Sequence, residues 1–321
     1  MTDQDLLGRS ISVVIPVYNN GSTVLELYTR LVTSLSELTS DFEVIFVDDG
    51  STDGARGLLK SMALSDSRCV ALLLSRNFGQ HPAIAAGLER ATGAVTVLMD
   101  ADLEDRPEEL AKLVETLWAS PDVDVVYTTF ADSHSLRPTS RLFWWLFGRI
   151  SGLNLPPGLG TYRVFRANVR REVLLYTERG AVYGPLMAQM GFSAVYVKVA
   201  RDVIAGRKSS YSLRKRVALG WSSVISYSSR LHSLAAGTGF LVSILSAAYL
   251  VVALFQYAIG ERVLINGQFL LLSVTLLMSG VLLMSVGIVG AYAFRTFNEV
   301  LARPRYHVSR EFGDGIRPRH D

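Results

Sequence analysis

Charge is missing from two long stretches of this 321-residue chain: neither His232 to Gly260 nor Val263 to Phe294 contains an Asp, Glu, Lys or Arg. Helices on the surface of a soluble core normally show a polar face, and about 20 apolar residues suffice to cross a hydrocarbon layer of ~30 Å, so two membrane spans are expected. Cysteine is nearly absent as well. Cys69 stands alone, which excludes an internal disulfide and suits a reducing compartment. No early apolar run follows Asp3 and Asp5, so no cleaved signal peptide is expected. No G-x-G-x-x-G follows the first strand-like run, which disfavours a dinucleotide-binding dehydrogenase.

What is present is unevenly spread. The apolar fraction is 49% and the mean hydropathy +0.28, high for a purely soluble protein. Arg214, Lys215, Arg216 and Arg230 precede the first uncharged stretch, and Arg295, Arg303, Arg305 and Arg310 follow the second. Positive residues stay on the cytoplasmic side, so both termini and the polar part of the chain are expected there. The net charge of +3 is modest. Its basic residues cluster beside the expected membrane, where anionic headgroups attract them, and no nucleic-acid partner is expected.

From residue 11 to 130 short β-branched runs alternate with amphipathic segments, the pattern of βαβ units around a mainly parallel sheet. Strands are expected at 11–18, 42–49, 69–75, 94–102 and 123–130. The stretch "VLMDADLEDRPEEL" (97–110) concentrates carboxylates behind the fourth of these. Asp105, Glu108 and Glu109 suit the first turn of a helix behind Pro107, or the surface. Asp100 and Asp102 fall before that helix, separated by Ala101 alone. Two carboxylates so spaced on a strand tip approach one hard cation, Mg²⁺ or Mn²⁺, whose shell a diphosphate would complete. Tyr18, Asn19, Asp48 and Asp49 also lie at strand ends, where open α/β sheets bind ligands.

The segments "VVIPVYNN", "VDDGSTDG", "SRNFGQHPAIAAGLERATG" and "DADLEDRPEEL", in this order, resemble the family 2 glycosyltransferases of GT-A fold. With two C-terminal spans the chain looks like the polyprenyl-phosphate branch of that family, which includes dolichyl-phosphate mannose synthase. The resemblance implies a Rossmann-like GT-A domain, a nucleotide-sugar donor and a divalent cation. It implies a donor site of Pro16, Tyr18, Asn19, Asp49, Asn77, Gly79, Asp100, Ala101 and Asp102, with Asp49 on the base and Asp100 and Asp102 on the metal and diphosphate. Asp48 reads instead as a cap for Ser51 and Thr52. His81 reads as a cap or packed side chain. Catalytic roles are expected for Asp102 and Arg163, the latter holding a phosphate or pairing with a structural carboxylate. Many members of the branch carry an acid in a G-D-F-R element where this chain has Thr161. A base role for that acid therefore does not transfer, and an ionised phosphate acceptor needs none.

"TSRLFWWLFGRISG" (139–152) sets aromatics between Arg141 and Arg149, the composition of a helix lying in the headgroup layer, or of a core helix. For the acceptor phosphate of a polyprenyl lipid the expected ligands are Arg141, Arg201, Lys208 and Tyr211; for the three cations, attraction to anionic lipid is the alternative. The expected organisation is a catalytic domain over 1–212, a juxtamembrane helix over 213–233, spans over 234–259 and 268–294, and a cytoplasmic tail over 295–321. Family relatives imply a homo-oligomer, some being tetramers. The expected activity is inverting transfer of a sugar from a nucleotide diphosphate to an undecaprenyl-type phosphate on the cytoplasmic leaflet of the inner membrane. Two rivals are a processive polysaccharide synthase, for which a Q-x-x-R-W element is missing, and a non-catalytic nucleotide-sugar-binding scaffold.

Overall fold

The computed structural model describes residues 9–130, 159–177, 183–200, 202, 267–301 and 303–316. The chain divides into two compact units, one of residues 1–148, 153–218 and 304–321, the other of 149–152 and 219–303.

The first unit is built on strands β1 (Ile11–Val17), β2 (Phe42–Asp48), β3 (Cys69–Leu74), β4 (Val95–Leu98), β5 (Val125–Phe130), β6 (Leu159–Arg166), β7 (Ala194–Val199) and β8 (Val308–Phe312). They form one sheet in the order β7-β5-β6-β4-β1-β2-β3-β8. The β3-β2-β1-β4 centre is parallel, and the antiparallel pairs are β4-β6, β5-β6 and β3-β8. Every residue of β1, β2, β3 and β4 is buried. Helices on both faces require this, and it explains why these strands read as continuous apolar runs.

Helices α1 (Val24–Ser36), α2 (Ala55–Ser65) and α4 (Leu110–Ala119) pack on one face through Leu27, Leu31, Leu59, Leu113 and Leu117. Helices α3 (Gln80–Arg90), α5 (Ala167–Leu175) and α6 (Tyr183–Gln189) cover the other through Ile84, Leu88, Val169 and Leu186. Gly87 lets α3 lie directly on β1, since a Cβ there would sit 2.3 Å from Val14 Cγ1.

Pro16 occupies a central strand, normally a poor place for a residue with no N–H. Here the pairing of β1 with β4 ends at Val14 and Leu98, closed by Met99 N donating to Val14 O. Pro16 therefore sits where β4 no longer asks for a donor. Beyond it the chain order reverses, β2 continuing on one side of β1 and β4 on the other, which is the switch point where open sheets hold ligands.

The expected tail is only partly a tail. Residues 308–312 return as β8 along the edge of β3. The expected second span falls on α7 (Gly267–Val300), a continuous helix of 34 residues that belongs to the second unit. Counting described residues alone, no helix is long and apolar enough to cross a membrane. The first expected span and the helices expected at 139–152 and 213–233 lie outside the described residues.

Candidate active site

Four loops meet at the carboxyl ends of β1, β2, β3 and β4, and hydrogen bonds between them fix the arrangement. Asn19, left-handed at φ 56°, donates its backbone N–H to Ser51 Oγ at 3.0 Å and accepts from Thr52 N at 2.9 Å. Asn and Asp tolerate this conformation because their short side chains bond locally. Gly21 N donates to Asp53 Oδ2 at 2.7 Å. Thr23 Oγ1 donates to Ala101 O at 2.7 Å, joining the first loop to the carboxylate loop. Tyr18 is half-exposed beside this network, its ring offering a face on which a base can stack.

The two adjacent acids of the second loop have different work. Asp48 is fully buried and accepts from Gly50 N and Ser51 N at 3.2 Å each and from Arg56 Nε at 2.6 Å. Arg56 also donates to Leu74 O. Asp48 is thus a structural brace, with Arg56 an addition that the cap reading did not contain. Asp49, also buried, accepts from Phe78 N at 2.7 Å and Gly79 N at 2.8 Å through its two oxygens. Burial raises its pKa, and the two N–H groups oppose that rise. Asp49 therefore holds the 77–79 loop in place, whatever it offers a base in addition. Asn77 is exposed, and Gly79, at φ 104°, precedes α3. Gly50 is required here, because a Cβ would lie 2.6 Å from Asn77 N.

Asp100 and Asp102 flank the buried Ala101 just past β4. Gln80 Nε2 donates to Asp100 Oδ1 at 2.8 Å. Glu104 N donates to Asp102 Oδ1 at 3.1 Å, and Leu103 between them is left-handed at φ 63°, an uncommon state of a kind that clusters at functional sites. No group of three or more His, Cys, Asp or Glu suited to a metal occurs among the described residues. Two carboxylates nonetheless fit a Mg²⁺ or Mn²⁺ that takes the rest of its shell from substrate phosphates and water. Of the three acids expected at the next helix, Glu108 pairs with Arg30 at 2.7 Å and Glu109 accepts weakly from Ala200 N at 3.4 Å. Asp105, however, is buried and is no surface residue; burial pushes the nearby Tyr162 hydroxyl well above its usual pKa, and the Asp105 charge adds to that rise.

Arg163 is buried on β6. Its Nε and one terminal nitrogen donate to Thr161 O and Gly160 O at 2.9 Å each, and the other terminal nitrogen has no hydrogen-bond partner. Carbonyls, not a structural carboxylate, receive its bonds. Arg141, Arg201, Lys208 and Tyr211 lie outside the described residues.

The sequence from residue 12 to 175 matches the family described as glycosyl transferase family 2. The chain belongs to that family. This glycosyltransferase is 36% identical over 94% of its length, and 89% of the relative's, to an undecaprenyl-phosphate 4-deoxy-4-formamido-L-arabinose transferase of Pseudomonas aeruginosa (strain LESB58). Among solved structures it resembles mannosyl-3-phosphoglycerate synthase from Rubrobacter xylanophilus, with TM-score 0.51, 18% identity and coverage of 69% of this chain and 73% of that one. It also resembles glucosyl-3-phosphoglycerate synthase from Mycobacterium tuberculosis in complex with Mn²⁺, UDP-glucose and phosphoglyceric acid. There the TM-score is 0.50, the identity 17%, and the coverage 71% of this chain and 82% of that one. These likenesses establish the GT-A-like fold.

The glycosyltransferase carries two residues near the site that motif reading passed over. Gln80 follows Gly79 directly, and that adjacency was the only available signal for it. Tyr127 lies within an ordinary strand pattern and gave none. His81, read as a cap or packed side chain, packs edge-on to Tyr183.

Proposed function

We propose that this enzyme transfers a sugar from a nucleotide diphosphate, UDP being the expected nucleotide, to an undecaprenyl-type phosphate, inverting the anomeric carbon. The observation that carries the reading is the placement of Asp100 and Asp102 at the switch point beside β1, tied to the nucleotide-side loops by Thr23 and Gln80. The acceptor class rests on a likeness to the undecaprenyl-phosphate relative that runs through nearly the whole chain.

Asp100 and Asp102 would hold a Mg²⁺ or Mn²⁺ ion, which supplies charge neutralisation for the departing nucleotide diphosphate. Pro16, Tyr18, Asn19, Asp49, Asn77 and Gly79 line the nucleoside side. A phosphate monoester, with a second pKa of about 6, attacks without a strong base, so Thr161 in place of an acid is no obstacle. What the chain must provide is alignment and counter-charge. Arg141, Arg201, Lys208 and Tyr211 are assigned to the acceptor phosphate. The uncharged stretches at 232–260 and 263–294 anchor the enzyme in the inner membrane, with the catalytic domain cytoplasmic. A homo-oligomer completes the reading.

The test is incubation of the purified full-length protein with radiolabelled UDP-sugars, undecaprenyl phosphate and Mg²⁺ or Mn²⁺. Label moving into the organic phase supports the reading. A complete donor panel leaving that phase unlabelled, with correctly folded protein, overturns it.

A further inference from the structure

Five buried side-chain polar atoms among the described residues have no hydrogen-bond partner. Native proteins satisfy the large majority of such atoms, so where they collect is informative. Tyr28 Oη and Trp118 Nε1 belong to the α1 and α4 side of the sheet. The other three, Arg163 Nη1, Tyr127 Oη and His81 Nδ1, lie together on the opposite side.

The sheet register brings two of them side by side. Leu98 of β4, Arg163 of β6, Tyr127 of β5 and Tyr196 of β7 are successive partners across four strands. The Arg163 guanidinium carbon stands 5.6 Å from the Tyr127 ring centre, and the Tyr127 ring stacks on Tyr196 at 5.5 Å. His81 arrives from the start of α3, edge-on to Tyr183 at 6.0 Å. It lies near enough to Arg163 that the guanidinium disfavours its protonation, burial being the larger cause. At Gly184 a Cβ would stand 3.1 and 3.2 Å from the two terminal nitrogens of Arg163, so the absence of a side chain leaves the guanidinium end uncrowded. Asp100 is within electrostatic reach of Arg163.

A buried guanidinium whose bonds go only to carbonyls has a charge that Asp100 and Asp105 offset only through space, and burying a charge without a bonded counter-ion is costly. An anionic oxygen placed against Nη1 would offset that cost, and a phenol and an imidazole beside it are further hydrogen-bonding groups for the same ligand. We propose that Arg163, Tyr127 and His81 form an oxyanion subsite that receives a phosphoryl oxygen. The chemistry is common to a prenyl phosphate, a nucleoside diphosphate and free phosphate. The assignment rests on the proposed transfer reaction only for which of these the cell supplies.

Binding to the full-length protein in detergent is measured calorimetrically with three probes: geranyl phosphate, UDP with Mn²⁺, and inorganic phosphate. Tyr127→Phe and His81→Gln should each weaken at least one probe about 3- to 10-fold, and Arg163→Met more than about tenfold, as expected for hydrogen bonds to a charged group. Gly184→Ala should weaken the same probe by obstruction, leaving all three donors in place. Loss confined to geranyl phosphate identifies the acceptor's phosphate, loss confined to UDP the donor's, and loss confined to inorganic phosphate a free-phosphate site. Should Arg163→Met fail to fold, the other three variants decide. Wild-type affinities for all three probes in Tyr127→Phe, His81→Gln and Gly184→Ala overturn the proposal. Sugar transfer with such unchanged affinities would sink the subsite alone, whereas weakened phosphate binding without transfer to any prenyl phosphate would sink only the proposed reaction.

Discussion

Gln80 reaches from the first residue of α3 to Asp100, its amide nitrogen 2.8 Å from the carboxylate. The bond helps to select one orientation for that acid. Because Gly79 is held by Asp49, the placement of Asp100 depends on the β2 loop as well as on its own. Replacing Gln80 with alanine should leave the fold intact and raise the Mn²⁺ concentration for half-maximal transfer by about 3- to 10-fold, the scale of one hydrogen bond to a charged group in a partly exposed site. Gln80→Glu, which replaces the donor with a like charge beside Asp100, should raise the Mn²⁺ requirement further. A titration of activity against Mn²⁺ reads both.

Asp102→Asn should lower transfer by at least about a hundredfold, the usual loss when charge stabilisation is removed from a leaving group. Its thermal midpoint should stay close to that of the wild type, because the bond from Glu104 N survives through the amide oxygen. Measured together, rate and midpoint separate a catalytic acid from a structural one.

His81 makes stability depend on pH. Burial and the nearby Arg163 push its pKa down to about 4 from 6.5. The unfolded chain therefore binds a proton between these values that the folded chain refuses, and stability is complete above about pH 6.5 and falls as the pH drops toward about 4. The loss at pH 5 is about 2 kcal/mol. Denaturation midpoints in phosphate-free buffer should fall over this window, and His81→Gln should flatten the decline there. An identical decline in the variant would assign the effect to other groups.

Glu43, fully buried in β2, fastens the C-terminal segment. It accepts from Ser12 Oγ at 2.6 Å, Thr92 N at 3.0 Å, Arg90 at 3.3 Å and Ile316 N at 3.1 Å. Arg90 in turn holds Glu311 and the carbonyl of Asp314, each at 2.6 Å. Glu43→Ala should cost about 3–5 kcal/mol, as for other broken buried charge networks, seen as a lower denaturation midpoint. Removing residues 304–321 should strip β8 from β3 and expose an edge prone to intermolecular pairing. Light scattering of the truncated protein on mild heating would show it.

Much of the fold was legible because its signals are local. Parallel strands buried on both faces must be apolar throughout, and the runs ending at Val17, Asp48, Leu74 and Leu98 each fell within about a few residues of expectation. The site loops follow from this, since acids directly behind such runs lie at strand tips. Residues 308–312 looked like tail because an edge strand facing water need not be apolar, and VSREF is not.

The sequence by itself determined the alternation of strand and helix, the position of Asp100 and Asp102 past the fourth strand, and the uncharged stretches near the C-terminus, because each is a matter of spacing along the chain. Only the tertiary structure decided that Asp49 is committed to two backbone N–H groups, that Gln80 steadies Asp100, that Glu43 grips a segment some 270 residues away, and that Arg163, Tyr127 and His81 share one buried corner. Hydrogen-bond partners and burial belong to pairs of residues brought together by the path of the whole chain, and no local pattern records them.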